Sequence, residues 1–177
     1  IEIIQAATKL IGQGGVQSLT TKTLANEMGF SEPALYRHFK DKNEILLSIL
    51  RFYMGQLKKG ISDISEDKLS GLDKIKAVVD FQFGHFTKHP AIIMVIFAET
   101  SFQYDSVLSN QVSEIMRQKS KSLESIIKSG QEEGVIRKDI LPQQLATIVM
   151  GSMRITILKW RLSNFKFDLL AEGQTLW

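Results

Sequence analysis

The sequence predicts an all-α fold, with an N-terminal three-helix unit over residues 1–45 and a larger helical domain over residues 46–177. Three observations predict it. Apolar residues recur at three- and four-residue spacing in almost every segment, the mark of amphipathic helices. No stretch alternates apolar and polar residues as a half-buried strand would, and no internal repeat is present. Finally, glycine and proline fall where helices stop and start: Gly12, Gly14, Gly15, Gly29 and Gly134 on one side, Pro33, Pro90 and Pro142 on the other.

Composition bounds the function classes. With 177 residues, 44% of them hydrophobic and 23% charged, the chain has the balance of an ordinary folded protein. Its longest apolar run, residues 91–98, is far too short to span a bilayer. The absence of cysteine excludes disulfides and thiolate metal sites and fits a reducing, cytoplasmic setting. The chain begins at Ile1, inside a predicted helix and without methionine, so further residues are expected before it.

The first helix carries Ile3, Ile4, Ala6, Ala7, Leu10 and Ile11 on one face and is expected to stop at the glycine cluster 12–15. That cluster is not followed by Lys-Ser/Thr or preceded by a strand, which excludes a phosphate-binding loop. Val16 and Leu19 then close a small core, and Thr20 caps a second helix in which Leu24 and Met28 share the inner face. Ala25 is small where another helix must cross. Gly29 follows at the left-handed position that ends a helix. Ser31 is placed to cap a third helix, with Glu32 and Pro33 in its first turn and Leu35 and Phe39 inward. Two short helices joined through a glycine turn form the unit that lays its second helix in the DNA major groove. The motif occupies residues 20–39.

Residues 19–46 (LTTKTLANEMGFSEPALYRHFKDKNEIL) resemble the DNA-binding region of the TetR family of transcriptional regulators, most specifically in the LYRHF, KDK and EIL runs. The resemblance covers residues 3–50 and implies that positions matching Lys22, Glu32, Pro33, Ala34, Tyr36, His38 and Lys42 touch DNA. The residues support the same face. Thr20, Thr21 and Ser31 stand at helix starts, and Lys42 at another, where free N–H groups and the helix dipole attract phosphate. Tyr36 and His38 add hydrogen bonds to the backbone, while Lys22, Glu32, Arg37 and the small Ala34 surface face the bases. Pro33, Arg37 and Lys40 complete the outward face. Net charge is not the argument: residues 1–50 hold five Lys/Arg and five acids, but four of those cations, Lys22, Arg37, Lys40 and Lys42, lie in the motif.

Asp41 and Glu44 form a predicted capping box for a long helix over residues 41–59, with Ile45, Leu46, Ile49, Leu50, Tyr53 and Leu57 inward. Residues 60–71 are polar and read as a loop. Helices are then expected from Leu72 to about His89, from Pro90 through Glu99, from about Asp105 to Glu133, from Pro142 to about Leu162, and over residues 165–177.

The helix over residues 143–162 is the expected dimer interface: Leu145, Ile148, Gly151, Ser152 and Ile155 combine apolar surface with small residues that permit close approach. The resemblance implies the same, a four-helix bundle between two chains, with a near-palindromic double-stranded operator beneath. Tyr53, Phe83, Phe86, Phe97, Met116, Met150 and Met153 are the candidate lining of an apolar effector pocket. At helical spacing such residues are ordinarily core, and it is the resemblance that favours a small-molecule effector rotating the DNA-reading heads. Asp80, His85 and Glu99 are candidate polar anchors. His85 and His89 sit at i, i+4, but no HExxH pattern surrounds them, so no metal site is expected. No catalytic motif or cofactor fingerprint is present. The function expected is a cytoplasmic, homodimeric transcriptional repressor released by a largely apolar effector, with no membrane association. The alternative is a helical ligand-binding or interaction protein of the same fold that does not read DNA.

Overall fold

The computed structural model describes residues 1–97 and 106–176, and those residues form helices joined by short turns. The all-α expectation is met. The chain divides into two compact units that do not follow chain order: Ile1–Gly55 with His89–Ser113, and Gln56–Lys88 with Glu114–Trp177. Residues 89–97 and 106–113 thus group with the N-terminal unit.

In the first unit, α1 (Glu2–Gly14) buries Ala7, Thr8 and Ile11. It stops within the expected glycine cluster, and Gly12 also serves packing: a Cβ there would lie 3.0 Å from the Cβ of Ala91. A 3-10 turn (Val16–Ser18) follows, with the Ser18 hydroxyl donating to the Leu10 carbonyl at 2.6 Å. Next come α2 (Thr21–Met28), α3 (Glu32–Tyr36) and the first half of α4 (Lys42–Glu66). Leu19, Leu24, Leu35, Ile45 and Ile49 are fully buried, the small core that three short helices need. The helix α6 (Ala91–Ile96) packs against α1 and buries Ile92, Ile93 and Val95. Glu99 and Phe102 lie outside the described residues.

In the second unit, α4 continues to Glu66, and the predicted loop 60–71 shrinks to residues 67–70. The polar composition of GISDIS concealed a continuing stripe: Leu57, Ile61 and Ile64 keep the four- and three-residue spacing, and Ile61 is buried in the core. That core joins Ile61 to Ile75 and Val78 of α5 (Gly71–Lys88), to Leu123, Ile126 and Ile127 of α7 (Ser106–Glu132), and to Ala146 of α8 (Pro142–Leu162). A last helix, α9 (Leu169–Gln174), sets Gly173 on the Phe83 ring. The turn before it is built around Trp160, whose Nε1 donates to the Phe167 carbonyl at 2.8 Å and whose ring meets Phe165 edge-on at 4.8 Å.

A close backbone approach in this unit joins the start of α5 to the end of α7. A Cβ on Gly71 would lie 2.4 Å from Gly130 Cα, backbone that cannot give way. The Gly71 N–H also donates to the Glu133 carboxylate at 2.8 Å, which with the Ser129 hydroxyl holds that carboxyl below its ordinary range. Gly71→Ala should therefore force the two helices apart and destabilise the protein by about 3 kcal/mol or more. Chemical denaturation against the parent protein checks this; a loss within about 0.5 kcal/mol would mean the contact relaxes freely.

Candidate nucleic-acid interface

The helix-turn-helix is assembled by local rules. Thr20 caps α2: its hydroxyl accepts from the Thr23 N–H at 3.0 Å, and the Thr23 hydroxyl accepts from the Thr20 N–H at 2.9 Å. Reciprocal capping of this kind satisfies two orphan donors and fixes the angle of the chain entering the motif. At the other end Gly29 is left-handed, φ 67° and ψ 24°. The Phe30 N–H bonds to Ala25 O at 2.9 Å and the Gly29 N–H to Asn26 O at 3.2 Å, a Schellman stop. A side chain at Gly29 would meet no neighbour, so the requirement there is conformational rather than steric.

Ser31 occupies the N-cap position of α3, but its side chain makes no capping bond. The reason is local. Pro33 has no N–H, and the Ala34 N–H donates instead to the Ser31 carbonyl at 2.9 Å. Likewise the predicted box at α4 closes differently. Asp41 Oδ1 accepts from the Glu44 N–H at 2.9 Å, while the Glu44 carboxylate reaches past Asp41 to the Lys40 N–H.

The two helices meet through a polar cluster. The Thr21 hydroxyl lies 3.3 Å from the Tyr36 hydroxyl and 3.5 Å from Glu32 Oε2, so Thr21, Glu32 and Tyr36 come together between α2 and α3. Tyr36 remains 51% exposed, which leaves its hydroxyl able to meet another partner. Lys22, Arg37, His38 and Lys40 are exposed, as are Ser31 and Pro33; Ala34 is half-buried.

Charge pairing separates this surface from an ordinary solvated one. Lys9 is neutralised by Glu27 at 2.7 Å, a bond tying α1 to α2. Asp41 and Glu44 are engaged with backbone N–H groups, and Glu32 faces Thr21. By contrast Lys22, Arg37, Lys40 and Lys42 make no ion pair among the described residues. A segment with equal numbers of cations and acids thus presents an unpaired positive face. Lys42 stands at the first position of α4, at the positive end of the helix dipole, and burial lowers the pKa of its ammonium. A desolvated cation at a helix N-terminus gains strongly from an arriving anion such as a phosphate oxygen.

The expected pocket residues are divided between the units. In the first, Tyr53 is buried with its ring edge-on to Phe52 at 5.1 Å and 5.2 Å from the His89 ring, and Phe97 is half-buried. In the second, Phe83, Phe86 and Met153 are core, Met150 borders the main cluster, and Met116 is 47% exposed. Of the expected anchors, Asp80 is exposed and His85 is half-buried between Phe81 and Phe86. Among the described residues no group of His, Asp or Glu is arranged to hold a metal ion, and no helix is long and apolar enough to cross a membrane.

Along α8, Leu145 leans onto the core and Ser152 is half-buried, its hydroxyl bonded back to the Ile148 carbonyl at 2.9 Å. Ile148, Gly151 and Ile155 are open, and a Cβ on Gly151 would meet nothing. Two residues that the sequence reading passed over belong to the same face. Leu141 and Leu162 extend Ile148 and Ile155 into a strict seven-residue series, each member more than half exposed. The signal was present as that spacing. Thr23 was missed as well, since capping boxes usually carry Glu or Gln at that position.

The two family models that match this chain describe "Bacterial regulatory proteins, tetR family" over residues 3–49 and "YsiA-like protein, C-terminal region" over residues 50–177. Among curated relatives, the fatty acid metabolism regulator protein of Bacillus subtilis is 23% identical over 99% of this chain and 90% of its own length. The nucleoid occlusion factor SlmA of Vibrio cholerae is 25% identical over the same shares. Among solved structures, FadR from Bacillus subtilis in complex with stearoyl-CoA superposes with a TM-score of 0.83 at 23% identity, covering 98% of this chain and 93% of that one. FadR from Bacillus halodurans does so with a TM-score of 0.87 at 19% identity, covering 98% and 90%. A helix-turn-helix with an unpaired cationic face, continued by a helical domain that its own family model matches to the last residue, makes the chain a member of the TetR family of DNA-binding transcriptional regulators.

Proposed function

We propose that the protein is a homodimeric repressor that reads a near-palindromic operator and is released from it by an effector with a long apolar chain. The observation that carries the DNA reading is the set Lys22, Arg37, Lys40 and Lys42, unpaired among the described residues while the neighbouring acids are engaged. A helical ligand-binding protein that had lost DNA binding would have no use for that face. Tyr36, His38 and Lys42 position the phosphates; Lys22, Arg37 and the Ala34 surface meet the bases, with Glu32 held toward Thr21.

The dimer is supported by the open series Leu141, Ile148, Ile155 and Leu162, which a single chain leaves in water and a second copy would cover. The apolar effector is supported by the bound stearoyl-CoA of the Bacillus subtilis structure. Release works through α4, one continuous helix from Lys42 at the DNA face to Glu66 in the second unit, so that a ligand in the second unit acts on the helix that carries Lys42.

Selection of duplexes from a random DNA pool, followed by salt titration of the enriched sequence, tests the reading. A near-palindrome whose half-sites lie about 34 Å apart is expected, with affinity falling steeply as salt rises. A folded dimer that enriches no sequence would contradict it.

A further inference from the structure

In the second unit α5 and α7 pack antiparallel, and their register can be counted from the contact that sets it. Gly71 at the start of α5 abuts Gly130 near the end of α7, and Ile75 and Val78 share a core with Leu123, Ile126 and Ile127 of that helix. Counting eleven residues on from Gly71 and eleven back from Gly130 reaches Gln82 and Lys119. At 1.5 Å of rise per residue both lie about 16 Å along their helices. Each also continues the buried stripe of its helix: Gln82 is one turn beyond Val78, and Lys119 one turn before Leu123. The register therefore sets a glutamine level with a lysine at the end of an otherwise apolar layer.

Neither side chain is satisfied as a structural residue would be. Gln82 is 3% exposed and its Oε1 has no hydrogen-bond partner among the described residues. Lys119 is half-buried and makes no hydrogen bond or ion pair with a described residue. Desolvation pushes the pKa of its ammonium down to about 8. The nearby acids on α7 are engaged elsewhere: Glu114 with Arg117 at 2.6 Å, and Glu124 with the Ser120 hydroxyl at 2.8 Å. An unpaired cation and an unpartnered amide in an apolar layer both cost stability, and hydrophobic residues at the two positions would remove that cost.

We propose that Lys119 and Gln82 hold the carboxylate of an effector whose remaining body is an apolar chain. Lys119 supplies the charge and the Gln82 side-chain amide a neutral hydrogen bond, its O and N ends exchanging by rotation. One cation and one neutral amide balance a single negative charge, whereas a phosphate carries up to two. The proposal rests on the apolar-effector reading above and adds the chemistry of the head group, with Lys119 and Gln82 in place of the anchors expected from sequence, Asp80, His85 and Glu99.

Calorimetry on the full chain with three probes tests it: hexadecanoate, 1-hexadecanol and hexadecanoyl-CoA. The parent protein should bind hexadecanoate about tenfold or more tighter than the alcohol. K119M should lose that preference and keep the alcohol within about twofold, while K119R, which retains the charge, should keep most of it. K119M should melt no lower than the parent, because it removes an unpaired, half-buried cation; if it fails to fold, K119Q replaces it in the same comparison. Unchanged hexadecanoate affinity in the folded charge-removing variant overturns the anchor and leaves the apolar-effector reading standing. Binding of the thioester alone overturns the carboxylate head but keeps the apolar chain. Binding of none of the three overturns both.

Discussion

Replacing Tyr36 and Lys42 together by alanine should lower operator affinity by more than about 100-fold while leaving fold and oligomeric state intact. On the proposed DNA face each would contribute a hydrogen bond to a phosphate oxygen, the lysine a charge-assisted one, and a symmetric dimer would present both twice. Charge-assisted bonds contribute roughly 1.5–3 kcal/mol each and tenfold in affinity corresponds to about 1.4 kcal/mol, so the estimate is conservative. The salt dependence should shallow by about two, one phosphate charge per protomer. Stability should barely move. Tyr36 is 51% exposed and gives up one hydroxyl contact with Thr21, and Lys42 has no ion-pair partner among the described residues to lose. Gel-shift titration beside thermal melting separates the outcomes: undiminished affinity in the folded double variant would remove both residues from the DNA face.

Replacing Ile148 and Ile155 together by glutamate should yield a folded monomer with almost no operator binding. Both side chains are more than half exposed in the single chain, so the charges enter water and not a core. In a dimer built on this face they would meet their own copies across a two-fold axis, where like charges in an apolar contact repel. Loss of the second DNA head removes the gain from tethering, commonly about 10²–10⁴-fold. Sedimentation shows the result directly: a variant that still sediments as a dimer would place the interface elsewhere.

Local chemistry was the legible part. Thr20, Gly29 and Pro33 act within a few residues of themselves, so capping, the left-handed stop and the helix start could be read without the rest of the chain. The same local reasoning failed where two local preferences competed. Ser31 is a good capping residue, but Pro33 removes one target N–H and backbone bonding takes the other. Polar composition suggested a loop at residues 60–71, yet the spacing of Leu57, Ile61 and Ile64 decided for helix because burying that stripe outweighs the weak propensity of Gly60 and the serines.

What the sequence by itself determined is therefore the all-α class, the helix-turn-helix and the identity of its outward side chains, since each depends on contacts close in the chain. Tertiary structure alone decided which charges stay unpaired. Lys9 and Glu27 are eighteen residues apart, and only the packing of α1 on α2 neutralises them and leaves Lys22, Arg37, Lys40 and Lys42 as the net charge of the face. It also set Gly71 of α5 against Gly130 of α7, a contact between residues far apart in the chain that no local pattern records.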